Sequence, residues 1–347
     1  MLLDSVRRYF RENRPPDTRW ARFGEGQRQP PDAWREMAEL GWLALAVPER
    51  LGGLEADWDT RLAVLREAGA DGRPEPLDVH LMLSDLLLRC LPQGQEEATA
   101  AAIMAGDMRV GVVELRPRAG PTGGNALGGE SGPVYGAGAS HLLVLVHAPG
   151  RGCRLAWTAV EGPGLSLQQG RFLDGRGCLT VRFNHCEPRW LDASGHHVRD
   201  LMAAGLVADC TGALDGAFRQ TLDYLKQRRQ FGRPLSDFQV VQHGMAEVFC
   251  DLQQAVALTR RLAREMNAAQ GSACDSLPAA KAFLSRRLLR GLGRLIQLSG
   301  GIGMTEEYPL AHYYKRAQTG AALFGDRGEQ LGRISPVATL LGSSGCG

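Results

Sequence analysis

The stretch Lys226-Gln227-Arg228-Arg229-Gln230-Phe231-Gly232-Arg233-Pro234-Leu235 lies between two long segments with helical hydrophobic spacing. Val198 to Arg229, which runs into the first four residues of this stretch, reads as one helix. After it, Phe238 to Gln270, Ser276 to Ser299 and Pro309 to Leu323 keep the same period, each long enough for one member of a four-helix bundle. The spacing predicts a C-terminal helical bundle over residues 196–335, followed by a tail at 336–347.

Upstream the pattern changes twice. Between about 111 and 195 it consists of short β-rich runs: Val110 to Leu115, His141 to Val146, Cys153 to Val160, Gly164 to Gln168 and Cys178 to Phe183. Gly and Pro separate them, as in a small sheet or barrel. Gly120 to Gly138 reads as a flexible loop, since no strand-turn-helix context makes it a dinucleotide fingerprint. Residues 1–110 read as an N-terminal helical domain, with candidate helices at Leu2 to Glu12, from an N-cap at Asp32 to Gly41, and at Trp58 to Ala70, Leu77 to Cys90 and Glu96 to Ala105. Pro15, Pro16, Pro30 and Pro31 bracket a connector between the first two. The expected fold class is α+β, mostly α: helices, a small middle β domain, then the bundle.

Composition excludes several classes. The 347 residues are 44% hydrophobic and 22% charged, ordinary for a globular protein, and exceed one compact core of typical size. Forty basic residues nearly cancel 38 acidic ones, leaving no net field to hold nucleic acid or an anionic membrane. Only Lys226, Lys281 and Lys315 are lysines, an arginine bias that fits a GC-rich genome better than phosphate binding. The eight cysteines form no C-x-x-C pair and no cluster with His, so neither a metal site nor a disulfide scaffold is expected. His196-His197 reads as a solvated loop pair after Gly195. Met1 to Pro16 carries charges throughout, unlike a signal peptide, and runs such as Trp42 to Val47 and Leu142 to Val146 are far short of a membrane span. A cytoplasmic protein is the expectation.

Four segments carry a resemblance. Gly41-Trp42, Val47-Pro48-Glu49 and Gly52-Gly53 come first, and His141 to Phe183 with Leu173-Asp174 follows. The quoted 226–235 stretch continues to Phe238-Gln239 and Gln242. Gln297-Leu298-Ser299-Gly300-Gly301-Ile302-Gly303-Met304-Thr305 comes last, with Glu307, Tyr308 and Pro309. In this order they resemble the acyl-CoA dehydrogenase family. The resemblance implies FAD lying across a subunit interface, an acyl-CoA substrate, and electron-transfer flavoprotein as acceptor. It implies that Arg228 gives a forked contact to a diphosphate with Phe231 as an apolar plate beside it, and that Gln297 donates to phosphate or ribose oxygens. Gly300 and Gly301 let the backbone approach without a Cβ, and Gln242 matches a position near the cofactor.

The chain departs from the family where the proton is taken. The family's usual carboxylate base falls on Phe324, and the alternative position, on the helix before the Arg-x-x-Phe motif, falls on Met202 followed by Ala203. Asp326 is the nearest substitute; Asp209, two turns from Met202, and Asp200 are further candidates. Glu329 reads as a surface residue. The family's Trp-containing strand is missing from the middle domain, and Trp157 and Trp190 match other strands. A kept half-site for a neighbour's FAD beside an eroded own site resembles the short subunit of heteromeric bacterial acyl-CoA dehydrogenases of sterol breakdown. The resemblance therefore implies α,β-desaturation of an acyl-CoA by an oligomer containing this chain. The alternative is a non-catalytic structural subunit that completes a partner's FAD site.

Overall fold

Side chains of the strand His141–Ala148 alternate between two cores. Leu143 and Leu145 face the helices, while Leu142 and Val144 face a second sheet, all fully buried. This period-2 split places the β region between a small sandwich core and the main helical one. The computed structural model describes residues 2–12, 31–115, 126–136, 138–148, 152–269, 274–305 and 308–334. The proline connector at 13–30, residues 120–125 and 137 of the glycine-rich tract, Glu307 and the 336–347 tail lie outside the described residues.

The N-terminal helices are α1 (Leu2–Glu12), α2 (Pro31–Glu39), α3 (Trp58–Asp71), α4 (Leu77–Cys90) and α5 (Gln95–Met104). α2 begins at Pro31, not after an Asp32 cap, because a proline's fixed φ suits a helix's first position. α3 is bounded by its sequence: Asp57 caps it by accepting the Thr60 N–H at 2.8 Å, and Gly72 ends it in the left-handed region. The Gly52-Gly53 pair has a steric reason, since a Cβ on Gly53 would lie 2.0 Å from the Val47 carbonyl oxygen.

The first sheet has order β1-β4-β5-β8, from β1 (Val110–Leu115), β4 (His141–Ala148), β5 (Gly152–Ala159) and β8 (Arg189–Ser194). Only β1 and β4 run parallel. In the second sheet β7 (Gly177–Cys186) pairs β6 (Leu165–Arg171) along one edge, and β2 (Leu127–Glu130) and β3 (Val134–Tyr135) along the other. The expectation of a loop throughout 120–138 is thus corrected: β2 and β3 are built from it. Neither strand is long enough to show an alternating pattern; pairing with β7 supplies their order.

The C-terminal helices are α6 (Gly195–Gln227), α7 (Gln239–Ala268), α8 (Leu277–Phe283), α9 (Leu289–Ser299), α10 (Leu310–Ala322) and α11 (Arg327–Ile334). A π-helical turn at Leu284–Leu288 joins α8 to α9. α11 was not anticipated. The hairpin of β9 (Arg229–Gln230) and β10 (Arg233–Pro234) separates α6 from α7. His196 and His197 lie in the first turn of α6 and not in a loop; His196 meets the His147 ring edge-on.

α6 is the central strut. Among the described residues it is the one helix that by length and composition could cross a membrane, against the expectation above, yet 83% of its most apolar window is buried inside the fold. It crosses α3 at near backbone contact: a Cβ on Gly212 would lie 1.9 Å from the Arg66 carbonyl oxygen, and one on Gly69 1.9 Å from that of Asp209. Glycine on both helices permits this approach.

Candidate functional site

A cavity of about 350 Å³ lies between the β region and the end of the bundle, lined by Glu114, Glu130, Arg199, Phe324, Asp326 and Glu329 together with Pro133 and Val134. Its floor is the turn from α10 to α11. Phe324 (φ +52°) and Gly325 (φ +102°) are successive left-handed residues, and a Cβ on Gly325 would lie 2.3 Å from Gln330 Nε2. Phe324 is buried at 7% exposure, so an aromatic ring fills the position where the resemblance places a carboxylate.

Each candidate carboxylate already has a partner. Asp326 is exposed on the cavity, but its Oδ1 accepts the Glu329 N–H at 2.9 Å, the N-cap bond of α11. Asp200 takes both arms of Arg333, at 2.7 and 2.8 Å. Asp209 is a correction. It is buried away from the cavity, and both its oxygens accept from Arg316, at 2.8 and 2.6 Å. Arg176, paired with Asp174 in the β6–β7 turn, stands 3.8 Å from the same carboxylate. A carboxylate so held joins α6, α10 and the β region and is not poised to receive a substrate proton. Met202 and Ala203 are fully buried in the core.

The sequence missed the charges that cross this cavity. Arg199 on α6 donates to Glu114 on β1 at 3.0 Å and to Glu329 on α11 at 2.7 Å. Glu329 is therefore an ion-pair partner and not a bare surface residue. Burial works against the Glu114 carboxylate, yet bonds from His147 and Arg199 outweigh it and hold its carboxyl below the usual range. Hydrogen bonds to Cys153 and Glu114 push His147 up to about 9. No short spacing announces these partners.

The other motif residues gather on the opposite, outward side. Phe231, at the tip of the β9–β10 hairpin, is 90% exposed with φ +51°, its ring edge-on to Phe238 at 6.1 Å. Arg228 is exposed at the end of α6, its backbone N–H bonded to the Tyr224 carbonyl. Gln242 opens α7 and donates to the Ser236 carbonyl at 2.9 Å, turning its side chain back onto the hairpin connection. Gln297 is exposed and lines a groove of about 740 Å³ between α7 and α9, beside Arg290 and Arg294. Gly300 has φ +69° and ψ −151°, a conformation closed to other residues, and nothing stands within 4 Å of a Cβ built on it or on Gly301. Tyr308, after the 300–305 turn, packs on Tyr224 one turn before Arg228, bringing both motifs to one end of the bundle. An exposed aromatic plate, a free-ended arginine and an open glycine turn leave room for the edge of a dinucleotide. Among the described residues, no group of three or more His, Cys, Asp or Glu is placed to hold a metal ion.

Residues 1–106 match the family model described as "Acyl-CoA dehydrogenase, N-terminal domain", and residues 200–338 the one described as "Acyl-CoA dehydrogenase, C-terminal domain". The chain belongs to the acyl-CoA dehydrogenase family. Members of this family are flavoprotein oxidoreductases acting on CH–CH groups. Acyl-CoA dehydrogenase FadE34 of Mycobacterium tuberculosis is 29% identical over 319 residues, covering 88% of this chain and 42% of FadE34, so this chain spans less than half of that relative. Among solved structures, the Tcur3481-Tcur3483 steroid ACAD G363A variant superposes with TM-score 0.86 at 25% identity, covering 99% of this chain and 98% of that one. The ChsE4-ChsE5 complex from Mycobacterium tuberculosis has the same fold, with TM-score 0.86 at 20% identity over 99% of this chain and 97% of that one.

Proposed function

We propose that this chain is the small subunit of a heteromeric, FAD-dependent acyl-CoA dehydrogenase that desaturates an acyl-CoA thioester between its α and β carbons, and that it serves the cofactor site of a neighbouring subunit. The observation that carries the reading is the contrast between its two faces. The turn where a base belongs holds buried Phe324 and a capping Asp326, while Arg228, Phe231, Gln297 and the Gly300-Gly301 turn stand open to solvent.

When bound, FAD supplies the acceptor for the β-hydride. The chain's own residues bind and orient: Arg228 holds a diphosphate oxygen pair, Phe231 covers an apolar face, Gln297 donates to phosphate or ribose oxygens, and Gly300 and Gly301 leave room for close backbone approach. Gln242 steadies the hairpin that carries Phe231. The α-proton then goes to a carboxylate on the partner. The solved structures named as a ChsE4-ChsE5 complex and a steroid ACAD support a heteromer acting on a ring-bearing acyl-CoA. A cytoplasmic location and electron-transfer flavoprotein as the acceptor belong to the same reading.

A second reading keeps Asp326 as the base, favoured by its exposure on the cavity. Purification of the chain alone and with its genomic partner tests the first. Fewer FAD than polypeptides in the complex, and no desaturation by the chain alone, are expected. Stoichiometric FAD with full activity from a homo-oligomer overturns it.

A further inference from the structure

Arg199 stands where the β region meets the last two helices. Its side chain is 11% exposed; Glu114, on the sheet side, is 19% exposed and Glu329, on α11, 38%. One guanidinium thus ties β1 and α11 to α6, although its partners lie 85 and 130 residues away in sequence. All three side chains line the 350 Å³ cavity, which also has an apolar wall of Pro133, Val134, Leu323 and Phe324. α11 has only eight residues and cannot hold itself as an isolated helix. Its fixed points are the Asp326 cap, the Arg333 pair with Asp200, buried Gln330, and Arg199.

We infer that Arg199 is an ionic latch: by bridging Glu114 and Glu329 it clamps α11 against the β region and keeps Val134 and Phe324, the buried part of that apolar wall, from solvent. The surrounding charges set how firmly it holds. On the sheet side, His147 bonds the same Glu114 and helps to keep it ionised. On the helix side, buried Lys281 and exposed Arg333 lie within the field of Glu329 and repel Arg199. The forked geometry favours arginine here, since a lysine cannot reach both carboxylates with two parallel bonds.

Hydrogen exchange on the full-length chain tests the latch. In Arg199→Met, amides of 327–334 and 110–115 are expected to exchange about tenfold faster or more, while those of 203–214 in the core of α6 keep their wild-type rates. Nile red, a neutral apolar dye, gains fluorescence with the same variant. The control is Arg182→Met, which removes an exposed pair with Glu130 on the same cavity rim and leaves both readouts unchanged. Should Arg199→Met fail to fold, Glu329→Gln cuts only the helix arm and speeds exchange at 327–334 alone. Wild-type exchange rates in the latch variants, or faster exchange without a gain in dye signal, overturn the proposal.

Discussion

The Asp326 carboxylate accepts the backbone N–H of Glu329 at 2.9 Å, so the residue nearest the family's catalytic position is also the cap of the last described helix. Capping and proton transfer ask different things of this side chain, and one substitution separates them. Asn caps a helix as well as Asp does but is no base. Asp326→Asn is expected to leave melting temperature and the activity of the assembled enzyme unchanged. Asp326→Ala lowers stability by about 1 kcal/mol. Loss of turnover in the Asn variant with FAD retained establishes the base reading instead.

Phe231 gives the converse case. At 90% exposure it contributes little to this chain's own core, so Phe231→Ala is expected to keep the wild-type melting temperature of the isolated chain. The same variant, co-purified with its partner, is expected to lose FAD, read as the ratio of flavin absorbance to protein. Arg228→Ala behaves alike.

Asp209 and Arg316 form a buried pair whose partners cannot be separated cheaply. Arg316→Met leaves a carboxylate in the core with only Arg176 nearby, at a cost of about 3–5 kcal/mol. The double variant Asp209→Asn with Arg316→Met removes both charges and is expected to recover part of that loss in urea denaturation.

Lys281 is fully buried, donates to the Gly320 carbonyl, and is pulled down to about 8 by burial. Between that value and the ordinary lysine range near 10.5 the unfolded chain binds the extra proton, so stability rises as pH rises through this window. A shift of this size amounts to roughly 3 kcal/mol. His147 acts oppositely: raised to about 9, it stabilises fully below its ordinary value near 6.5, and that contribution is lost as pH climbs to 9. Lys281→Met is expected to flatten the rise above pH 8, and His147→Gln the fall below 9, in stability measured against pH.

The α3–α6 crossing depends on the missing side chain of Gly212. Gly212→Ala is expected to lower stability by at least the ~1–3 kcal/mol of an overpacked core, because the clashing atom is backbone oxygen and has nowhere to move. Thermal melting measures it.

How much of this was legible beforehand varies by element. Residues Val110–Leu115 form the strand that their run of β-branched residues predicted, and α7 follows its apolar period, whereas α6 is buried without a break from Leu201 to Leu214. β2 and β3 were not legible, because such short strands carry no period and take their order from β7. The Arg-x-x-Phe turn, the glycine pair and the vacancy at Phe324 could be read as residue types at fixed offsets. The bonds of Arg199, Asp209 and Glu329 could not.

Sequence alone determined most of the helices and the longer strands, which residues carry the family's motifs, and that Phe324 stands where the resemblance places a carboxylate. These depend on local period and on residue type, which the chain carries at every point. Tertiary structure decided what each remaining carboxylate does. Asp326 caps, Asp200 and Asp209 are held by arginines, and Glu329 is bridged to Glu114, because an ion pair is set by distance in space and its members here lie up to 133 residues apart along the chain.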